Sequence, residues 1–191
     1  MKEKIKDIIS DSVKLKQEMF ADEQLLAKIE EAVEVISAAF AKGNKVLFCG
    51  NGGSASDAQH LAAEFSGRFY KDRKALPAEA LHCNTSYLTA VANDYGFEHV
   101  YARLVEGTGN EGDVLVAFST SGNSENIVQA LKVAQQKKMS TIGFTGLHGG
   151  VMNDYCKLLF LAPSKITPRI QECHILLGHI ICELVEEKLF S

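Results

Sequence analysis

The 191-residue sequence has no CxxC pair, no surplus of basic charge and only three prolines. No stretch reaches the roughly 18 consecutive apolar residues that a membrane-spanning helix needs, so no membrane span is expected, and no membrane partner is assigned. With 20 Lys and Arg against 24 Asp and Glu, the net charge of −4 offers nucleic acid no bulk electrostatic attraction. A small anion held at a helix N-terminus is still compatible with it. The five cysteines, Cys49, Cys83, Cys156, Cys173 and Cys182, are odd in number and irregular in spacing. They read as reduced thiols of a cytoplasmic protein and not as a disulfide framework. Residues 1–20 carry a charge every few positions and lack a continuous apolar core, so they do not read as a signal peptide. No internal repeat, low-complexity segment or linker interrupts the chain. Hydrophobic residues make up 46% and charged residues 23%, enough to bury the core of one α/β domain spanning residues 1–191.

Apolar residues at helical spacing predict two helices before any strand. Ile5, Ile8, Ile9, Val13 and Phe20 mark one over 3–20; Leu25, Leu26, Ile29, Val33, Ile36 and Phe40 mark another over 22–41, stopped by Gly43. This pair, within residues 1–43, would cover a sheet, bury a face against another subunit, or do both. From Lys45 the pattern changes to short apolar runs. Residues 45–49, 113–119, 140–146 and 157–163 predict buried strands, with 78–82 as a weaker fifth. Helices are expected at about 55–68, 86–106, 124–138, 150–154 and 168–188. Strands alternating with helices imply a parallel sheet covered on both faces. Ligands of such sheets bind beyond the carboxyl ends of the strands, which directs attention to the loops there.

Two of these loops suit an anion. "GNGGSA" (50–55) formally fits the dinucleotide fingerprint G-x-G-x-x-A, but no acidic ribose ligand ends the next strand in "ALHCNTS". A nicotinamide-dependent oxidoreductase therefore rests on this match alone. The plainer reading is a glycine turn that lets backbone approach a ligand, with Ser54 near a helix start. "STSGNSEN" (119–126) gathers Ser119, Thr120, Ser121 and Ser124 within six residues around Gly122. One hydroxyl, that of Ser124, would suffice to cap the following helix. Four hydroxyls with helix N–H groups make a site for a phosphate monoester without Lys or Arg. No GK[ST] follows, so this is not a Walker loop, and a small phosphorylated metabolite is favoured over a nucleotide.

"CGNGGSASDAQH", "VANDYGF", "STSGNS" and "RIQECH" occur in this order, and together with the two leading helices the sequence resembles the sugar isomerase domain family in its phosphoheptose isomerase branch. The resemblance spans essentially the whole chain. It implies a flavodoxin-like three-layer sandwich with a five-stranded parallel sheet. It also implies a cytoplasmic homotetramer with active sites at subunit interfaces. The implied reaction converts D-sedoheptulose 7-phosphate into D-glycero-D-manno-heptose 7-phosphate, the first step of ADP-heptose synthesis for lipopolysaccharide core. Relatives of the same fold include non-catalytic phosphosugar sensors and adaptors that bind a replication initiator. Those need the anion loops but not an acid and a base.

His60 and Glu64, at i and i+4, share a helix face. Gln171 and His179 lie about two turns apart on the last helix. The resemblance assigns Glu64 as base and His179 as acid of an aldose–ketose isomerisation. It also implies one zinc ion per subunit, held by His60, Glu64, Gln171 and His179. Two imidazoles and a carboxylate are ordinary zinc ligands, whereas a glutamine is unusual. A ligating Glu64 would be a poorer base, so the two roles compete. By the same resemblance Asn51, Gly52, Gly53, Ser54, Asn93, Asp94 and Gln171 contact the sugar, and Ser119, Thr120, Ser121 and Ser124 hold the phosphate. One position departs from the pattern. Some members have an aspartate before the arginine of "RIQE"; here Thr167 and Pro168 precede it, a good helix start that supplies no carboxylate. His174 reads as a packed or hydrogen-bonded residue, Cys49 as core, and Arg68 and Arg169 as interface, substrate or ion-pair residues.

Overall fold

Five short apolar runs become strands: β1 (Val46–Gly50), β2 (Ala78–Ala80), β3 (Val114–Phe118), β4 (Ser140–Thr145) and β5 (Leu158–Leu161). In the computed structural model, which describes residues 1–190, they form one sheet in the order β2-β1-β3-β4-β5. Every pair is parallel, with Val46 beside Val114 and Val114 beside Ser140. This is the flavodoxin-like order, with its switch point between β1 and β3.

Among the described residues seven α-helices surround the sheet: α1 (Lys2–Phe20), α2 (Glu23–Ala41), α3 (Gly53–Ser66), α4 (Thr85–Tyr95), α5 (Val100–Thr108), α6 (Glu125–Gln136) and α7 (Thr167–Leu189). Strand alternation divides the core in two. Phe48, Val116, Phe118, Phe144 and Phe160 face α2, α3 and α7. Leu47, Cys49, Leu115 and Ala117 face α5 and α6. Phe118, Phe144 and Phe160 stack across three neighbouring strands with centroids 4.7 and 4.8 Å apart. Each such pair adds about 0.5–1.5 kcal/mol beyond its buried area.

The N-terminal helices differ in kind. Asp22 caps α2 by accepting from the Gln24 and Leu25 N–H groups at 3.0 Å. Leu25, Ile29, Val33, Ile36 and Phe40 of α2 are then buried. α1 buries only Met19, while Ile5, Ile8, Ile9 and Val13 stay exposed and Phe20 is 81% exposed. Among the described residues its apolar stripe is left largely uncovered.

The expected helix over 86–106 is broken. Gly96 adopts φ +97° after Tyr95, a conformation glycine takes cheaply, and a 3-10 turn (Phe97–His99) redirects the chain into α5. Residues 150–154 form a 3-10 helix, and the weak fifth strand is three residues long. Pro168 occupies the first turn of α7, where its missing N–H costs nothing.

Candidate functional site

Both loops that the sequence suggests for an anion lie at the carboxyl edge of the sheet, on either side of the switch point. β1 ends at Gly50, and the turn through Gly52, at φ +58°, starts α3. A Cβ on Gly50 would collide with the Ser54 carbonyl, so this turn closes only around glycine. In the second loop the Ser119 hydroxyl lies 2.9 Å from that of Ser124 and 3.4 Å from that of Ser121. The Ser121 hydroxyl accepts from the Asn123 N–H at 3.1 Å. Ser124 does occupy the N-cap position of α6, but its side chain makes no capping bond. Its hydroxyl is turned into the loop, toward Ser119. Gly122, at φ +69°, packs so closely on the Gly149 carbonyl that any Cβ would displace it. The Thr120 carbonyl accepts from the Gly146 N–H at 3.0 Å, tying the loop to the end of β4.

α3 and α7 lie side by side on one face of the sheet. Gly178 permits the close approach, since a Cβ there would strike the Leu61 side chain. The contact brings His60 Nε2 to 2.9 Å from His179 Nε2, with Glu64 Oε1 3.2 Å from His60 Nε2. At that separation one imidazole nitrogen carries the proton and the other accepts it. Burial, and then the His60 ring, hold the His179 pKa below the usual histidine value, while Glu64 acts in the opposite direction. One donor atom from each of the three residues falls within 4.8 Å of the others, a group able to hold a metal ion. Gln171 lies nearer the start of α7. Its amide rests against Gly53, where an added Cβ would approach Nε2 to 2.5 Å.

The chain as a whole is similar to known proteins. Residues 10–146 match the profile of the SIS domain. The phosphoheptose isomerase of Clostridium acetobutylicum is 50% identical over 191 residues, covering 100% of this chain and 97% of that protein. The chain belongs to the phosphoheptose isomerase branch of the SIS domain family. Phosphoheptose isomerase 2 of Campylobacter jejuni is also 50% identical, over 98% of this chain and 93% of its own length. The solved phosphoheptose isomerase of Neisseria gonorrhoeae superposes with a TM-score of 0.91 at 41% identity, covering 97% of this chain and 98% of that one.

Membership of the phosphoheptose isomerase branch directs attention to the remaining positions. Asn93 and Asp94 lie exposed near the end of α4, where the Asn93 amide donates to the Asp94 carboxylate at 2.8 Å. Among the described residues their side chains hydrogen-bond each other and not the loops. His174 is fully buried. Its Nε2 donates to the Thr145 carbonyl at 3.0 Å, and burial pushes its pKa down to about 4, with the Thr145 contact opposing. Cys49 is buried in the core, and burial raises its thiol pKa, so it stays protonated. Arg169 pairs with Glu172 at 2.6 Å and donates to the Ile8 carbonyl at 3.1 Å. Sequence reasoning missed Asn126. Its buried amide exchanges two 2.9 Å hydrogen bonds with Asn51 and so links the two loops. An asparagine two residues beyond a serine cap was the one available sign.

Proposed function

We propose that the protein interconverts D-sedoheptulose 7-phosphate and D-glycero-D-manno-heptose 7-phosphate as an aldose–ketose isomerase. The observation that carries this reading is the convergence of Glu64, His60 and His179, two of them on the helix that rises from the first glycine-rich loop. From Gly53 to His60 the seven-residue climb along α3 covers about 10 Å, comparable with an extended seven-carbon sugar. The phosphate then rests on Ser119, Thr120, Ser121 and Ser124, with Asn51, Gly52, Gly53, Ser54 and Gln171 along the chain. Asn93 and Asp94 reach sugar hydroxyls.

Glu64 removes a proton from C1 of the ketose, exchanges it with solvent at the cis-enediol stage and delivers a proton to C2. His179 gives a proton to O2 and takes one from O1, so the bound sugar gains and loses none overall. Each such group contributes about 10²–10⁴ in rate. Two imidazoles and a carboxylate, those of His60, His179 and Glu64, fit zinc; Gln171, two turns earlier on α7 with its amide against Gly53, stands apart from these three and faces the sugar instead. A bound zinc ion would polarise the carbonyl and stabilise negative charge on the enediolate oxygens. The largely uncovered apolar stripe of α1 supports burial against a second copy, with a homotetramer as the assembly and active sites at its interfaces. No described helix is long and apolar enough to cross a membrane. We place the enzyme in the cytoplasm, at the entry to ADP-heptose synthesis. The non-catalytic adaptor has no observation in its favour.

The test is incubation with sedoheptulose 7-phosphate in heavy water, followed by NMR, with and without a chelator and added zinc. Deuterium at C2 of the aldose is expected, with loss of turnover on chelation. Glu64→Gln should abolish turnover and leave phosphosugar binding within roughly tenfold. Normal turnover by Glu64→Gln would remove the base assignment.

A further inference from the structure

α3 and α7 are joined a second time beyond the catalytic cluster, by a buried ion pair. Glu186, on α7 two turns after His179, is 1% exposed. Its carboxylate accepts from the N–H groups of Phe69, Tyr70 and Lys71 at 3.0, 2.7 and 2.8 Å, and from Arg73 Nε at 2.7 Å. The Arg73 guanidinium in turn donates to the carbonyls of Glu64, Phe65 and Lys74 at 2.8, 2.9 and 3.1 Å. The Glu64 and Phe65 carbonyls belong to the last turn of α3, which has no intrahelical donors for them. A cation there also complements the helix dipole. The same loop places the Phe69 ring 6.0 Å from the His179 ring, centroid to centroid.

One carboxylate and one guanidinium thus hold the backbone of Glu64 and the flank of His179 together. We propose that the Arg73–Glu186 pair is a positioning element that sets Glu64 on α3 and His179 on α7 at their working separation. The inference rests on the catalytic reading of Glu64 and His179 given above. Neither Arg73 nor Glu186 touches the sugar; both act through the two residues they align. Misplacement of a reacting group by about 1 Å is enough to cost on the order of 10² in rate. The phosphate loop, on the far side of the Gly53–His60 climb, is not touched by the pair.

Arg73→Lys separates charge from geometry. Lysine can neutralise Glu186 but lacks the planar fork that reaches the α3 carbonyls at the same time. In the holoenzyme, folded Arg73→Lys should lose about tenfold or more in kcat, with KM for the sugar phosphate within about threefold. Phe69→Leu, which leaves the backbone bonds to Glu186 in place, should lower kcat by about threefold or more with KM again unchanged. A merely structural pair would lower stability while the folded fraction kept its kcat; that result in Arg73→Lys overturns the proposal. If Arg73→Lys does not fold, Glu186→Gln, which keeps the side-chain shape but removes the charge, decides: a normal kcat in its folded fraction overturns the proposal and a selective loss of kcat supports it. Glu64→Gln, run alongside, distinguishes the two failures. Full turnover there defeats the catalytic reading itself. A dead Glu64→Gln beside a normal Arg73→Lys defeats only the positioning role.

Discussion

Acid should dismantle the Arg73–Glu186 pair within a definable pH window, and Glu186→Gln exposes it. Burial by itself would raise the Glu186 pKa, but the N–H groups of Lys71, Phe69 and Tyr70 and the Arg73 guanidinium outweigh it and bring the value from 4.5 down to about 2. A lowered folded-state pKa stabilises the native protein in full above the unfolded value. That contribution is lost as pH falls from about 4.5 toward about 2. The difference between those values corresponds to about 3 kcal/mol, of the order of the 3–5 kcal/mol cost of leaving one partner of a buried pair alone. Urea unfolding of the native protein and Glu186→Gln, compared at the same pH, cancels other carboxylates such as Asp113. Asp113 keeps its lowered pKa in both proteins through Lys45, Asn110 and Asn44, against the opposing effect of burial. The stability gap should be about 3 kcal/mol near neutral pH and shrink steadily below about pH 4.5. A gap that stays constant from neutral pH into strong acid would refute the reasoning, because the pair would then stabilise the fold without its charge.

Ser121→Ala combined with Ser124→Ala should raise KM for the sugar phosphate by about tenfold or more while kcat changes less, since the hydroxyls bind phosphate away from the reacting carbons; an unchanged KM in steady-state kinetics would sink the phosphate-loop assignment. Asn126→Ala removes both hydrogen bonds to Asn51 and should destabilise the protein by about 1–3 kcal/mol in urea titration and raise KM. A KM left at its native value would show that Asn51 does not depend on the pair. His174, with a folded pKa near 4, should show an NMR titration midpoint far below the usual histidine value. The unfolded chain takes up that proton first as pH falls, so His174 draws stability away between about pH 6.5 and pH 4. A midpoint near 6.5 would contradict its burial.

The strands were legible because fully buried parallel strands need unbroken apolar runs, and "KVLFC" and "DVLVAFS" are such runs bounded by glycine or polar residues. The glycine and hydroxyl-rich loops after β1 and β3 were legible for a related reason, because a turn at a strand end has its own chemistry. The break at Gly96 was not. Apolar spacing continues on both sides of it, and a lone glycine inside a periodic stretch does not declare its φ. Ser124 was read correctly as a cap position, yet its hydroxyl bonds Ser119, a choice made by the fold of the whole loop.

By itself, the chain's local pattern determined which segments are strands, which strand ends carry glycine- and hydroxyl-rich loops, and that His60 and Glu64 share one face of α3. Those properties depend on residues a few positions apart, where helix and strand periods act directly. The tertiary structure decided the partnerships: His60 with His179, 119 residues apart; Asn51 with Asn126, 75 apart; Arg73 with Glu186, 113 apart. The first and third depend on how closely α3 can approach α7 past Gly178, the second on β1 lying beside β3, and no local periodicity encodes which distant face will be buried against which.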